Sequence, residues 1–170
     1  MFRNGGSVLA LTAVVTGGRG RSARTLEARV GAFPGTLPAS LELGTLNLVL
    51  DRPILLRPQM GLWRENETNF RAFPAKLNGL AVFILRWKRC RGHVFEVISD
   101  SLLREALSLQ DGDRVTITIE EKYLDNSRAR WWRELWFSLL WRGREHRYYD
   151  SNLYPKLVGP IELIARVLQK

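Results

Sequence analysis

The chain has 170 residues, 45% apolar and 25% charged, a balance that suits one globular domain with a buried core and excludes a wholly disordered chain. Its 26 Lys and Arg against 17 Asp and Glu give a net charge of +9, which attracts nucleic acid, anionic lipid or a polyphosphate nucleotide without choosing among them. The single cysteine, Cys90, excludes an intramolecular disulfide and a cysteine-based metal cluster.

In chain order, Val8 to Thr16 is apolar and β-branched and runs into glycines, which predicts a buried first strand leading to a loop. A signal peptide is the competing reading of this run after Arg3. Thr12 interrupts it and no small-x-small cleavage site follows, so the strand is preferred and a cytoplasmic protein expected. No segment approaches the ~20 apolar residues of a membrane helix. A short helix is predicted around Arg24 to Val30, broken by Pro34-Gly35. Asn47 to Leu50 reads as a strand stopped by Asp51-Arg52-Pro53, and residues 57–70, polar and rich in turn formers, read as a loop.

Leu80 to Trp87 and Val94 to Ile98 are predicted strands. Ser101 to Leu109 has helical spacing, with Leu102, Leu103, Ala106 and Leu107 on one face and Ser99, Asp100 or Ser101 as its cap. Asp111-Gly112-Asp113 is a tight turn. Arg114 to Glu120 then alternates Val115, Ile117 and Ile119 against Arg114, Thr116 and Thr118, the pattern of a half-buried strand. Short strands joined by glycine turns favour a barrel or sandwich over a parallel α/β sheet.

The composition shifts near Tyr123. Residues 128–154 hold Trp131, Trp132, Trp136 and Trp141 among many arginines, and 160–168 reads as a last short helix. Trp132, Trp136, Leu139 and Leu140 recur at helical spacing. Such a helix packs against the rest of the chain, or, through 128–145, lies on a membrane surface or binds a partner protein or a second copy. Stacking on single-stranded nucleic acid is the less favoured use. The expected division is a barrel over 8–122 and a Trp/Arg-rich extension over 123–170.

Three constellations carry chemistry. Gly17, Gly18 and Gly20, with Arg19 and Arg21, form a turn whose backbone N–H groups can approach phosphate oxygens. It is not a Walker motif, since no Gly-Lys-Ser/Thr follows. In Gly44-Thr45-Leu46-Asn47, Thr45 and Asn47 are two apart, so in a strand a hydroxyl and an amide oxygen share one face and can hold Mg²⁺ by neutral contacts. The third combines His93, Glu96, the start of the 101–109 helix, Arg104 and the turn at 111–113. A helix start presents free N–H groups to an anion, and Glu96 can take a proton from an alcohol. His93 reads as a surface loop residue.

Together these motifs resemble the CTP-dependent riboflavin kinases. The family's pattern runs from a strand and a Ser/Thr-Gly-x-Gly-x-Gly turn, through Gly-Thr-Leu-Asn and a strand, to Glu-(Ile/Val)-Ile, Leu-Arg-Glu-x-Leu and Asp-Gly-Asp. Here those parts read Thr16-Gly17-Gly18-Arg19-Gly20, then Gly44-Thr45-Leu46-Asn47, then Glu96-Val97-Ile98, Leu103-Arg104-Glu105-Ala106-Leu107 and Asp111-Gly112-Asp113. The resemblance covers roughly residues 8–120 and implies a mainly β fold, a small six-stranded cradle-loop barrel with short helices, here with a C-terminal helical extension. It implies transfer of the γ-phosphoryl group of CTP to the 5′-hydroxyl of riboflavin, giving FMN, with Mg²⁺. The nucleotide would lie on Gly17, Gly18, Arg19, Gly20, Arg21 and Ser22 and at Ser101, Leu102, Leu103 and Arg104. Thr45 and Asn47 would hold the metal. Glu96, as the catalytic group, would meet the flavin together with Lys88, which stands where the family has a flavin-contacting threonine.

Overall fold

A computed structural model describes residues 7–17, 45–65, 70–86 and 92–125, with the backbone alone for 63–65 and 70. The predicted helix over 24–30, the turn residues Gly18, Arg19, Gly20, Arg21 and Ser22, Lys88, Cys90 and the Trp/Arg-rich segment lie outside the described residues. Strand β1 (Val8–Thr16) has the predicted bounds and alternates, with Leu11, Ala13 and Val15 buried and Ala10 and Thr12 exposed. Strand β2 (Leu46–Leu50) is buried on both faces, β5 spans Leu80–Arg86, β6 Val94–Ile98 and β7 Arg114–Glu120. β-branched residues suit these strands because their restricted side chains pack well on a pleated surface.

Two strands depart from the sequence expectation. Among the described residues, the predicted 57–70 loop contains a 3₁₀ turn (Pro58–Met60) and strand β3 (Trp63–Glu65). Strand β4 (Phe70–Leu77) follows. Pairing decides this: Trp63, Arg64 and Glu65 lie opposite Ala72, Arg71 and Phe70. β4 is hidden in the sequence by Pro74, a residue that weakens any strand reading. A local signal for it does exist. Asn78-Gly79 separates β4 from β5, and both residues have positive φ (47° and 89°), as a type I′ hairpin turn requires.

Every strand pair is antiparallel. The order is β3-β4-β5-β6-β2-β1-β7, and β7 pairs back onto β4 through Ala75–Ile119, Lys76–Thr118 and Leu77–Ile117. Six strands therefore close into a barrel, and β3 adds to the first half of β4. Pro74 sits where that edge of β4 changes partner from β3 to β7, a place suited to a residue with no N–H to give. One residue from each barrel strand, Leu11, Leu48, Phe73, Ile84, Phe95 and Ile117, fills the interior. Each fully buried side chain of this size contributes about 1.5–3 kcal/mol.

At the end of the barrel where β7 finishes, a 3₁₀ turn (Glu121–Tyr123) carries the chain across. Arg57 N–H donates to the Tyr123 carbonyl (2.8 Å) and Asp125 N–H to the Leu55 carbonyl (2.8 Å). Tyr123 meets Phe73 edge-to-face at 5.9 Å, so the core continues through Tyr123 and Leu124. The exposed Lys122–Glu120 pair (2.6 Å) holds the Lys122 ammonium above its usual 10.5, chiefly through the hydrogen bond to Glu120. A raised lysine pKa stabilises below the unfolded value, and this small contribution fades as pH rises above 10.5.

The predicted helix over 101–109 is one turn long, α1 (Leu103–Ala106), with Leu102 as an N-cap that makes no side-chain cap bond. Ser99 is not the cap. Its Oγ accepts from Ser101 N–H (3.1 Å) and donates to the Ser101 carbonyl (2.8 Å), closing a local turn. Ser108, at φ 51°, ends α1: Ser108 N–H donates to the Glu105 carbonyl and Leu109 N–H to the Arg104 carbonyl, the two bonds of a Schellman motif. Packing explains the early stop. Leu107 and Leu109 both rest on the core, and residues two apart in a helix cannot share a face. The expected apolar face is also split, since Leu103 is buried while Leu102 and Ala106 are exposed.

The hairpin turn offers a test. Gly79 at φ 89° has nothing within 4 Å of an added Cβ, so Gly79→Ala pays only for the left-handed backbone. Urea unfolding should show a loss of about 1 kcal/mol; an unchanged midpoint would contradict the type I′ assignment.

Candidate functional site

Antiparallel alternation brings the end of β1, the start of β2, the end of β6 and the start of β7 to one end of the barrel. There the register sets Thr16 opposite Asn47 and Asn47 opposite Glu96. Directly paired residues project to the same side of a sheet, with Cβ atoms roughly 5 Å apart. Leu46, Leu48 and Leu50 fill the interior, and so do Phe95 and Val97. Asn47 and Glu96, at alternate positions, are therefore on the outer face.

That outer face is not an ordinary solvated one. Val49, Leu85 and Ile98 share it and are buried, and Asn47 is only 5% exposed. Glu96 and Thr16 are half-buried, as is Thr45, two residues before Asn47. Thr16, Asn47 and Glu96 thus line up across three adjacent strands as a hydroxyl, an amide and a carboxylate. Oxygen donors of this kind suit Mg²⁺. Among the described residues no group of three or more His, Cys, Asp or Glu gathers to hold a metal, so neutral oxygens and phosphate would make up most of such a shell.

The glycine-rich segment 17–22 is described only through Gly17, and the end of β1 that leads to it is held by several hydrogen bonds. Val15 N–H donates to the Asp113 carbonyl (2.9 Å), and Gly112 N–H to the Val15 carbonyl (2.9 Å). Arg104 Nη2 donates to the Thr16 carbonyl (3.2 Å) and to Asp111 Oδ1 (2.6 Å). A Cβ on Gly17 would sit 3.0 Å from Asp111 Oδ2, a tight approach that the exposed carboxylate would have to yield to. Glycine lets the Asp111 carboxylate lie this close to the end of β1. Sequence reasoning took Asp111 only as part of a turn and did not see this contact, whose one signal is the acidic residue placed before Gly112.

The expected residues divide as follows. Thr45, Asn47, Glu96, Gly17 and Arg104 come to one end of the barrel. Ser101 is half-buried nearby in the chain, Leu102 is exposed, and Leu103 gives its side chain to the core, which leaves its backbone for any ligand. His93 does not join them. It is 4% exposed and corrects the surface-loop reading: its carbonyl accepts from Leu50 N–H (2.8 Å), extending the β2–β6 ladder beyond Val94. It lies beyond the opposite end of β6 from Ile98, on the face away from Glu96.

A small closed antiparallel barrel with oxygen donors on one rim is the class of protein that results. The profile of the CTP-dependent riboflavin kinase family, described as domain of unknown function DUF120, matches residues 23–119. The chain belongs to this family. It is similar to the riboflavin kinase of Methanocella arvoryzae, at 31% identity over 130 residues, which cover 71% of this chain and 61% of that protein. It is also similar to the riboflavin kinases of Thermoplasma acidophilum (35% over 92 residues) and Thermoplasma volcanium (37% over 90 residues), in each case over 45% of this chain and 41% of the relative. The chain thus spans between 41% and 61% of the length of these curated relatives. Among the described residues no helix is long and apolar enough to cross a membrane.

The Gly17–Asp111 contact can be measured. Gly17→Ala must push the exposed Asp111 carboxylate aside and should cost about 0.5 kcal/mol by denaturation, a cost that disappears in Asp111→Ala in a double-mutant cycle. Strict additivity would show that the carboxylate does not press on Gly17.

Proposed function

We propose that the chain transfers the γ-phosphoryl group of CTP to the 5′-hydroxyl of riboflavin, giving FMN and CDP. The observation that supports this most is the register that sets Asn47 between Thr16 and Glu96, at the end where Arg104 bonds the Thr16 carbonyl. The riboflavin oxygen forms a bond to the γ-phosphorus as the bond from that phosphorus to the β,γ-bridging oxygen breaks. CDP leaves, and Glu96 receives the hydroxyl proton. Gly17 to Ser22 and the backbone of Ser101 to Arg104 receive the nucleotide. Lys88 contacts the flavin with Glu96.

Mg²⁺ would be held by the Thr45 hydroxyl and the Asn47 amide oxygen, and when bound supplies positive charge against the phosphates. Neutral protein ligands leave that charge undiminished. The reading implies a cytoplasmic protein whose Trp/Arg-rich extension begins beyond Leu124, since Tyr123 and Leu124 belong to the core, and whose residues 128–145 bind a membrane surface, a partner protein or a second copy.

Incubation with riboflavin, Mg²⁺ and either CTP or ATP tests the proposal. FMN should form, and faster with CTP. Thr45→Ala and Asn47→Ala should each lower kcat/KM by about 100-fold, as loss of a charge-positioning contact does, and raise the Mg²⁺ concentration needed. No FMN with any nucleotide would reject the activity, and wild-type rates in both variants would reject the metal assignment.

A further inference from the structure

One side chain meets the end of β1, where the glycine-rich segment begins, in two ways. Asp111 Oδ1 accepts from Arg104 Nη2 at 2.6 Å, and the same nitrogen donates to the Thr16 carbonyl at 3.2 Å. Asp111 Oδ2 lies close to Gly17, 3.0 Å from where a Cβ would stand. The surrounding backbone makes this arrangement firm. Leu109 N–H holds the Arg104 carbonyl (2.8 Å), Asp113 Oδ2 accepts from Gln110 N–H (2.7 Å), and Gly112 N–H bonds the Val15 carbonyl.

The electrostatics of this corner are unusual for a phosphate site. An isolated carboxylate beside Gly17 would repel a polyphosphate. Paired with Arg104 it carries no net charge, and it keeps the guanidinium on the Thr16 carbonyl. The geometry points to Asp111 as a positioning residue for the nucleotide, holding the end of β1 and the entrance of the glycine turn in place through Arg104. This rests on the nucleotide site proposed above and assigns Asp111 a part in it. The pair is exposed, with side chains 41% and 61% accessible, so its effect is moderate.

Steady-state kinetics on the full chain tests it. Asp111→Ala should raise the KM for CTP about fivefold, the factor that an exposed pair of this strength supplies. The kcat and the KM for riboflavin should stay at wild-type values. Asp111→Asn, which keeps an oxygen to accept from Arg104, should recover part of the affinity. Arg104→Ala should raise the CTP KM further than Asp111→Ala, because it leaves the carboxylate uncompensated. Adding Asp111→Ala to it should lower that KM again, and salt should narrow the difference. Glu120→Gln, which breaks the exposed pair at the far end of the barrel, should change none of these values. An unchanged CTP KM in Asp111→Ala, or an equal loss in every parameter together with a lowered melting temperature, would overturn the assignment.

Hydrogen exchange on the unliganded chain separates this inference from the kinase proposal. Peptides covering residues 14–22 should exchange several-fold faster in Asp111→Ala than in the wild type, while those covering β6 stay unchanged. Faster exchange with no FMN from the wild type would keep the positioning role and reject the kinase. FMN formation with unchanged exchange and unchanged CTP KM would do the reverse.

Discussion

The closure of β4 onto β7 is the constraint on which the rest of the structure depends. Without it the sheet would expose the edges of β4 and β7, and the interior row from Leu11 to Ile117 would face water on one side. The closure is bought with loop entropy, since about 40 residues separate the paired strands. Asn78 helps to secure it. Its N–H donates to the Thr116 carbonyl (2.9 Å), and its Oδ1 accepts from Thr116 N–H (2.9 Å). The hairpin turn that joins β4 to β5 thus also fastens the hairpin to β7.

Closure then dictates the site. With Leu46, Leu48, Phe95 and Val97 committed to the interior, Asn47 and Glu96 have only the outer face. A slip of one residue between β2 and β6 would drive leucines outward and put an amide and a carboxylate into the core, a change the apolar interior forbids. The apolar residues therefore determine where the polar ones stand. The segment from α1 to the start of β7 adds a second level of control, because it carries Leu103, Leu107 and Leu109 to the core and Arg104 and Asp111 to the end of β1.

Some elements were legible because their periodicity is local. Val8–Thr16, Val94–Ile98 and Arg114–Glu120 have the bounds read from their apolar and β-branched patterns. β4 was not, because Pro74, Arg71 and Lys76 obscure its alternation and its pairing partners lie elsewhere in the chain. The 101–109 helix was overestimated for a related reason. Its leucines have helical spacing, yet Leu109 reaches the core only if the chain turns out of the helix at Ser108. His93 reads as a surface loop residue in the sequence, yet it is buried where the ladder between β2 and β6 continues to it.

By itself the sequence determined the β character, the oxygen-bearing pair Thr45 and Asn47 and the family to which the chain belongs. Those features are written in residue types at short spacing, and period-2 geometry suffices to interpret them. Only the tertiary structure decided that Asn47 stands between Thr16 and Glu96, that His93 lies apart, and that Asp111 reaches Gly17. Such neighbours are set by strand register and barrel closure, which arise from burial of side chains far apart in the chain. Local spacing carries no record of them.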